Sequence, residues 1–269
     1  MNRDSPSKAV MVVLIVAVVS SALVAGVVTV LRPIQLENQL LERARHVLQL
    51  TGLIAQGELP GEDRMLELYR RLDIRMVDLR GGSFEADMDP ASFDARRAAN
   101  DPERSVAIPP EQDRAGLGRR SRYARVFLVW EGDELQRVIL PIHGAGMWST
   151  IYGYLALEPD LNTIAGVTFY EQNETPGIGD RILQPAWRAQ WEGRKLFDPR
   201  GEFRFDAGPG RIEPGTEAAR YKVDALTGAT VTVDAVIAMM HYWMGPHGYQ
   251  PLIERLRVEP PSPRGGEDR

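Results

Sequence analysis

The first strong feature in the pattern of hydrophobic and polar positions is an uninterrupted apolar segment near the amino terminus. Residues 9–31 carry no charged side chain and consist mainly of Val, Ala, Leu and Ile, between Lys8 and Arg32. A helix of this length is about 35 Å long, which exceeds the roughly 30 Å hydrocarbon core of a bilayer. The pattern therefore predicts a transmembrane helix at 9–31, preceded by a short tail at 1–8.

A cleaved secretory signal is the alternative explanation for this segment. The small residues from Ala22 to Ala25 resemble a cleavage site, but the apolar region of a signal peptide is typically about 7–15 residues long. Since the apolar run continues to Leu31, the length favours an uncleaved anchor. The segment also lacks the ionisable residues that mark ion pathways through bilayers, so this chain alone is not an ion channel or pump.

The pattern changes after the anchor. Apolar residues at helical spacing predict a helix over 35–56 that stops near Gly57. A second amphipathic stretch precedes a short strand at 74–79. Residues 87–122 are crowded with Asp, Arg, Pro and Ala and lack an apolar period, which predicts mostly loop. We therefore interpret 32–122 as a helical and loop-rich extension.

Strand patterns dominate the middle of the chain. Residues 123–130 and 135–140 are rich in aliphatic and aromatic side chains and flank the turn sequence Glu-Gly-Asp at 131–133, which indicates a hairpin. Residues 151–157 and 163–170 form a second pair of the same kind. The sequence thus predicts four antiparallel strands.

The segments that follow alternate between short helices and turns. Trp187 and Trp191 lie four residues apart on a short predicted helix, so we expect both indoles to pack against the sheet. Residues 221–223 look like a strand that enters a tight turn at 224–230, and 232–244 look like a helix that leaves it.

The predicted fold class is α+β, with one amino-terminal transmembrane helix followed by a soluble domain whose antiparallel sheet is wrapped by helices. We assign this domain to residues 123–258. The tail at 259–269 is polar and rich in Pro and Gly, so we expect it to be disordered.

Composition excludes several classes of function. The chain has 32 Lys and Arg against 37 Asp and Glu, for a net charge of −5, and it shows no basic footprint for nucleic acid. The absence of cysteine excludes disulfides, thiolate zinc sites and cysteine-ligated iron–sulfur clusters within the chain.

The remaining candidate residues predict neither a metal site nor a catalytic residue. The four histidines have no metal-ligand spacing, and no Ser/His/Asp grouping is visible. Three methionines on the last predicted helix indicate core packing, namely Met239, Met240 and Met244.

The turn at 224–230 carries the clearest chemistry. Gly228 and Ala229 allow a ligand to approach the backbone, and the following helix presents free N–H groups with the positive end of its dipole. These features suit an anion such as a phosphate. The alternative is that Thr230 or Thr232 only caps the helix.

The turn also resembles a known motif. Its D-x-x-T-G-A-T pattern, from Asp224 through Thr227, Gly228 and Ala229 to Thr230, is similar to the flavinylation motif of the FMN-binding domain family. The resemblance implies that a flavin transferase esterifies Thr230 to the FMN phosphate. Asp224 and Thr227 would be motif residues recognised during that transfer.

Two further segments narrow the family. Residues 146–153 and 169–179 resemble the C subunit of the sodium-translocating NADH:quinone oxidoreductase, in order and in spacing. The resemblance covers the anchor and roughly 144–244. It implies that one loop lies against the isoalloxazine ring and that two residues lie nearby, the loop being Glu174, Thr175, Pro176, Gly177, Ile178 and Gly179 and the neighbours Trp148 and Ser149.

The chain departs mildly from the family pattern. Thr227 stands where Ser is usual, Asn173 where Gly is common, and Ile178 where Leu is common. None of these changes removes the Thr230 hydroxyl. The simpler alternative for the 174–179 loop is a tight Pro-Gly turn between sheet and helix.

The resemblance implies an electron-transfer subunit of an NADH:ubiquinone reductase that transports sodium, with no complete activity from this chain alone. It would need the other subunits, a flavin transferase during maturation and surrounding membrane lipid. We expect the bacterial inner membrane, with the soluble domain periplasmic. The alternatives are the G subunit of the related ferredoxin/NAD electron-transport complex, disfavoured by the Trp148 and Glu174 segments, and a flavin-free membrane-tethered binding module.

Overall fold

The computed structural model describes residues 6–54 and 60–264. The chain divides into two compact units, Met1–Arg45 and His46–Arg269. The helices are α1 Pro6–Thr51, α2 Glu62–Arg70, α3 Ala95–Asn100, α4 Pro185–Arg188, α5 Thr230–Trp243 and α6 Gln250–Val258. In the part of the chain that the structure describes, three short 3₁₀ helices lie at Gly179–Leu183, Ala189–Trp191 and Ala218–Arg220.

The first helix, α1, is 46 residues long and includes the predicted anchor. Val10–Thr29 is long and apolar enough to cross a membrane, by length and composition. The separate helix expected at 35–56 is the end of this same helix. It stops at Thr51 because Gly52 adopts a left-handed φ of +74°, a common way for helices to end. The predicted stop at Gly57 lies outside the described residues.

The described residues form ten strands, arranged in one large and two small sheets. They are β1 Asp73–Asp78, β2 Ser83–Glu85, β3 Ser105–Ala107, β4 Arg119–Ser121, β5 Tyr123–Glu131, β6 Glu134–Ala145, β7 Thr150–Leu157, β8 Ile164–Glu171, β9 Asp206–Ala207 and β10 Lys222–Val223. The large sheet has six strands in the order β2-β1-β5-β6-β7-β8. All of its pairs are antiparallel.

Both predicted hairpins are confirmed, as β5–β6 and β7–β8. The sheet is larger than the four strands expected, because β1 pairs along its whole length with β5 and brings β2 with it. Both added strands come from the 32–122 range. The prediction of mostly loop over 87–122 is confirmed except at α3, β3 and β4, which are too short to show a period. Asp94 starts α3 by accepting hydrogen bonds from Arg96 N and Arg97 N.

The core lies on both faces of the large sheet. On one face Val138, Leu140 and Ile142 of β6 belong to a buried cluster with α5, α6 and the two indoles Trp187 and Trp191. The predicted packing of these indoles against the sheet is confirmed, since their rings lie 5.4 Å apart edge to face and Phe169 of β8 contacts both. The three methionines at 239, 240 and 244 are buried in the same cluster, as expected.

Aromatic side chains cover the other face. Phe127, Tyr154 and Tyr170 form a row across β5, β7 and β8, with ring centroids 5.9 and 5.1 Å apart. Tyr69 of α2 and His46 at the end of α1 pack on this row at 6.0 and 5.6 Å. Helices therefore pack on both faces of the sheet, and the loops that connect its strands remain accessible at the surface.

The tail predicted to be disordered, 259–269, lies partly outside the described residues. Within the described part, Arg264 donates a hydrogen bond to Ile74 O at 3.2 Å and Arg75 donates to Ser262 O. This part of the tail therefore lies along β1.

Candidate functional site

The D-x-x-T-G-A-T segment forms a tight turn between β10 and α5. Buried Val223 and Leu226 hold the turn against the core. Gly228 adopts a left-handed φ of +81°, which residues with a side chain rarely adopt. Ala229 N then donates to Leu226 O at 2.9 Å, and α5 begins at Thr230.

No side chain caps α5. Ala229 is the N-cap residue, and Val233 N donates to its carbonyl at 2.9 Å as the first helical hydrogen bond. The alternative that Thr230 or Thr232 caps the helix is therefore wrong. The N–H groups of the first turn have no partner within the helix, so this end keeps its partial positive charge. Thr230 lies exposed beside them.

Asp224 anchors the other end of the turn. Its Oδ1 accepts from Ile212 N at 2.6 Å, and its backbone N donates to Gln190 Oε1 at 2.9 Å. Its carbonyl accepts from Trp187 Nε1 at 2.9 Å. Thr227 is exposed in the middle of the turn, where its carbonyl accepts from Arg181 Nη1 at 3.1 Å. The turn is thus fixed at both ends and open in the middle.

The second predicted segment folds into a compact loop. Thr175 O accepts hydrogen bonds from Ile178 N and Gly179 N at 3.1 and 2.9 Å, around Gly177 with a left-handed φ of +75°. Pro176, Gly177 and Ile178 are exposed. Gly179 is buried.

The first residue of that loop behaves differently. Glu174 is only 3% exposed, and its carboxylate is directed into the domain. Thr232 Oγ1 donates to Glu174 Oε2 at 2.5 Å, and Trp148 N donates to Glu174 Oε1 at 3.2 Å. Glu174 therefore lies beneath the exposed loop residues.

Trp148 is the most exposed aromatic residue of the site, with 66% of its surface accessible. Its Nε1 donates to Thr175 Oγ1 at 3.1 Å. The neighbouring Ser149 Oγ accepts from Asn173 N at 3.0 Å. These bonds join the β6–β7 connection to the loop at 174–179.

The two loops and the start of α5 meet at one surface. Arg181 reaches Thr227, and a Cβ at Gly228 would lie 3.9 Å from Ile178 Cγ2. The structure thus brings the predicted site residues together, with the Asp224 carboxylate on the inner side of the turn and Glu174 buried.

Several residues of the site were not predicted from the sequence. Arg181, Gln190 and Ile212 hold the turn from segments distant in the chain, and no local pattern marks them. Met147 and Val231 lie exposed beside the predicted Trp148 and Thr230. Their exposure is seen only in the structure, where exposed apolar side chains on neighbouring loops mark a binding surface.

The surface fits a phosphate that carries a flat apolar group. The uncapped first turn of α5 offers free N–H donors beside an exposed hydroxyl, and Trp148, Ile178 and Val231 offer apolar side chains around it. A phosphate at a helix N-terminus is favoured by both the N–H groups and the dipole.

Comparison with known proteins agrees with this geometry. Residues 146–245 match the FMN-binding domain family. The chain is 40% identical over 256 residues to the C subunit of the Na(+)-translocating NADH-quinone reductase of Pseudomonas aeruginosa, and the match covers 95% of this chain and 98% of that relative. The corresponding protein of Neisseria meningitidis serogroup A is 39% identical over 257 residues, with 95% and 96% covered.

Solved structures give the same result. The crystal structure of Shewanella oneidensis NqrC superposes with a TM-score of 0.75 at 35% identity, covering 84% of this chain and 99% of that one. The C subunit of the Na(+)-translocating NADH-quinone reductase from Parabacteroides distasonis superposes with a TM-score of 0.61 at 25% identity, covering 83% and 96%.

Proposed function

The chain belongs to the family of C subunits of the Na(+)-translocating NADH-quinone reductase, and from this we propose that it carries FMN covalently on Thr230 and relays electrons between other redox centres of the complex. Its FMN-binding domain and its relatives make it an electron-transfer subunit of a sodium-transporting translocase. The other subunits are its partners. The G-subunit alternative is disfavoured because relatives that match over 95% of the chain are C subunits.

One observation supports the proposed attachment of FMN at Thr230. Its hydroxyl is exposed at the first position of a helix that no side chain caps. A phosphodiester at this hydroxyl keeps one negative charge, and the helix N-terminus stabilises such a charge by about 0.3–1 kcal/mol. Thr227 and Gly228 on the same turn leave the approach open.

FMN supplies the redox chemistry, because its ring accepts and releases electrons that side chains cannot carry. The chain's own residues hold that ring in place. We assign this role to the exposed side chains of Trp148 and Ile178 and to the backbone around Gly177. The indole orientation is set by its hydrogen bond to Thr175 Oγ1 at 3.1 Å.

We further propose that a flavin transferase recognises the turn through Asp224 and Thr227. Asp224 supports recognition indirectly, since its carboxylate holds the 208–215 segment against the turn through Ile212 N. The helix at 9–31 contacts membrane lipid in this proposal, with the soluble domain on the periplasmic side of the bacterial inner membrane.

The attachment is tested on the full-length protein produced with a flavin transferase. The denatured wild-type protein should fluoresce on a gel, because an ester survives unfolding whereas bound FMN dissociates. Thr230→Ala should abolish the fluorescence, and Thr230→Ser should keep it because the hydroxyl remains. Fluorescence that persists in Thr230→Ala and disappears in Thr232→Ala would place the ester on Thr232 instead.

A further inference from the structure

The Glu174 side chain is unusual for a residue of an exposed loop. It is 3% exposed, although glutamate is almost never fully buried unless it is paired. Among the ion pairs of the described residues, none includes Glu174. Its two oxygens are satisfied by neutral donors, the Thr232 hydroxyl and the Trp148 amide.

The space around this carboxylate is closed. A Cβ at Gly146 would lie 2.5 Å from Glu174 Oε1, and a Cβ at Gly179 would lie 2.8 Å from both Glu174 Cβ and Thr232 Oγ1. Two glycines thus leave room for one buried carboxylate. A ligand on the surface meets the loop residues above it and not the carboxylate itself.

The two donors come from the two sides of the site. Trp148 belongs to the β6–β7 connection, and its indole is held separately by Thr175 Oγ1, so residues 174–175 fix both its backbone and its ring. Thr232 is the third residue of α5, two positions after Thr230. The Glu174 carboxylate therefore connects the loop that contains Trp148 to the first turn of α5, which contains Thr230.

We propose that Glu174 is a positioning residue that sets the distance and orientation between Trp148 and Thr230, and hence between the flavin ring and its attachment point. The proposal rests on the proposed function. As an ionised carboxylate, the same side chain would also disfavour the more negative reduced flavin and so lower its midpoint potential.

Four variants separate position from charge. In Glu174→Gln the amide oxygen accepts from Trp148 N, and the amide N–H₂ donates to the Thr232 hydroxyl after that hydroxyl rotates. This variant keeps the geometry and replaces the carboxyl group with a neutral amide. Glu174→Ala leaves both donors without a partner. Thr232→Val removes one donor, and Thr232→Ser restores it.

The experiment uses full-length protein in detergent, produced with a flavin transferase. We expect covalent flavin per chain to fall several-fold in Glu174→Ala and Thr232→Val, and to recover in Glu174→Gln and Thr232→Ser. A redox titration of loaded Glu174→Gln should give a higher midpoint potential than that of the wild type. Glu171→Gln, an exposed glutamate paired with Arg96, is the matched control and should change neither quantity.

A readout without flavin uses the same changes in a Thr230→Ala background. Amide hydrogen exchange over residues 146–149 should be roughly tenfold faster in Glu174→Ala than in its parent, as expected for the loss of a buried hydrogen bond. Exchange elsewhere in β6 and β7 should stay the same. This comparison tests whether Glu174 holds the β6–β7 connection in place, and it does so whether or not Thr230 carries FMN.

Each alternative outcome has a distinct meaning. Unchanged loading, potential and exchange in Glu174→Ala would overturn the positioning role, as would equal losses in Glu171→Gln. If Glu174→Ala fails to fold, the contrast between Thr232→Val and Thr232→Ser decides the same point. A wild-type protein without covalent flavin would instead overturn the proposed function, with the exchange result still standing on its own.

Discussion

His143 on β6 is held within a group of aromatic and cationic side chains. Its ring stacks on Tyr152 at 5.4 Å and lies 4.9 Å from Trp243, and the Arg96 guanidinium lies 3.8 Å from the centre of the Tyr152 ring. Burial, and to a lesser extent the positive charge of Arg96, lower the pKa of His143 to about 4. The folded protein therefore keeps this imidazole neutral.

This pKa predicts how stability depends on pH. The unfolded chain protonates His143 near the ordinary histidine pKa of about 6.5, whereas the folded chain does so only near 4. For this group the free energy of unfolding is constant above about pH 7 and decreases as the pH falls from about 6.5 towards 4. His143→Phe should therefore lose less stability than the wild type between pH 7 and pH 5. Thermal melts at the two pH values measure this, and an equal decline in both proteins would contradict it.

Among individual residues, the sequence identifies the site residues that are close together in the chain. Thr230, Thr227 and Gly228 were found because one short motif contains them. The burial of Glu174 could not be predicted, because it depends on Thr232, whose hydroxyl reaches it across 58 positions of sequence. Partners so far apart leave no local pattern.

Elements were predicted best where neighbours in sequence are neighbours in space. The β5–β6 and β7–β8 hairpins follow from two apolar runs around a turn. The position of β1 beside β5 does not, because contacting residues lie far apart in the chain: Asp78 of β1 and Arg122, directly before β5, differ by 44 positions although their side chains are 2.6 Å apart. Helix α6 was not identified either, since it is short and carries charges along its length.

Helix α6 is held close to the β1–β2 turn. Gly82 in that turn has a left-handed φ of +67°, and a Cβ there would lie 2.4 Å from the Pro251 carbonyl carbon. Gly82→Ala therefore combines backbone strain with a clash against the α6 backbone. Gly132 has a similar φ of +59° in the β5–β6 turn and open space around it.

The two glycines form a matched pair for stability measurements. Gly132→Ala should cost about 1–2 kcal/mol, the strain of a left-handed alanine. Gly82→Ala should cost clearly more, because α6 must also move. Denaturant midpoints of the two full-length variants give this difference directly. Equal midpoints would show that α6 moves away from the added methyl group without loss of stability.

At the scale of the whole molecule, we predict that the soluble domain lies on the periplasmic side of the membrane. Positive charges flank the 9–31 helix on both sides, and long domains cross largely regardless of charge. The periplasmic prediction therefore rests on the family resemblance.

The absence of cysteine makes this prediction easy to test. Ser92→Cys places a thiol at an exposed position of the soluble domain, and Ser5→Cys places one before the apolar segment at 9–31 in the sequence. A membrane-impermeant maleimide added to spheroplasts should label the Ser92→Cys protein and leave the Ser5→Cys protein unlabelled. The reverse labelling would place the domain in the cytoplasm.

The surface position of Thr230 would allow the proposed flavin attachment to follow folding. Because Thr230 is exposed at the first position of α5 while other residues of that helix pack in the buried cluster, a transferase could act on the folded domain. A cell short of flavin would then accumulate folded, colourless protein rather than misfolded protein.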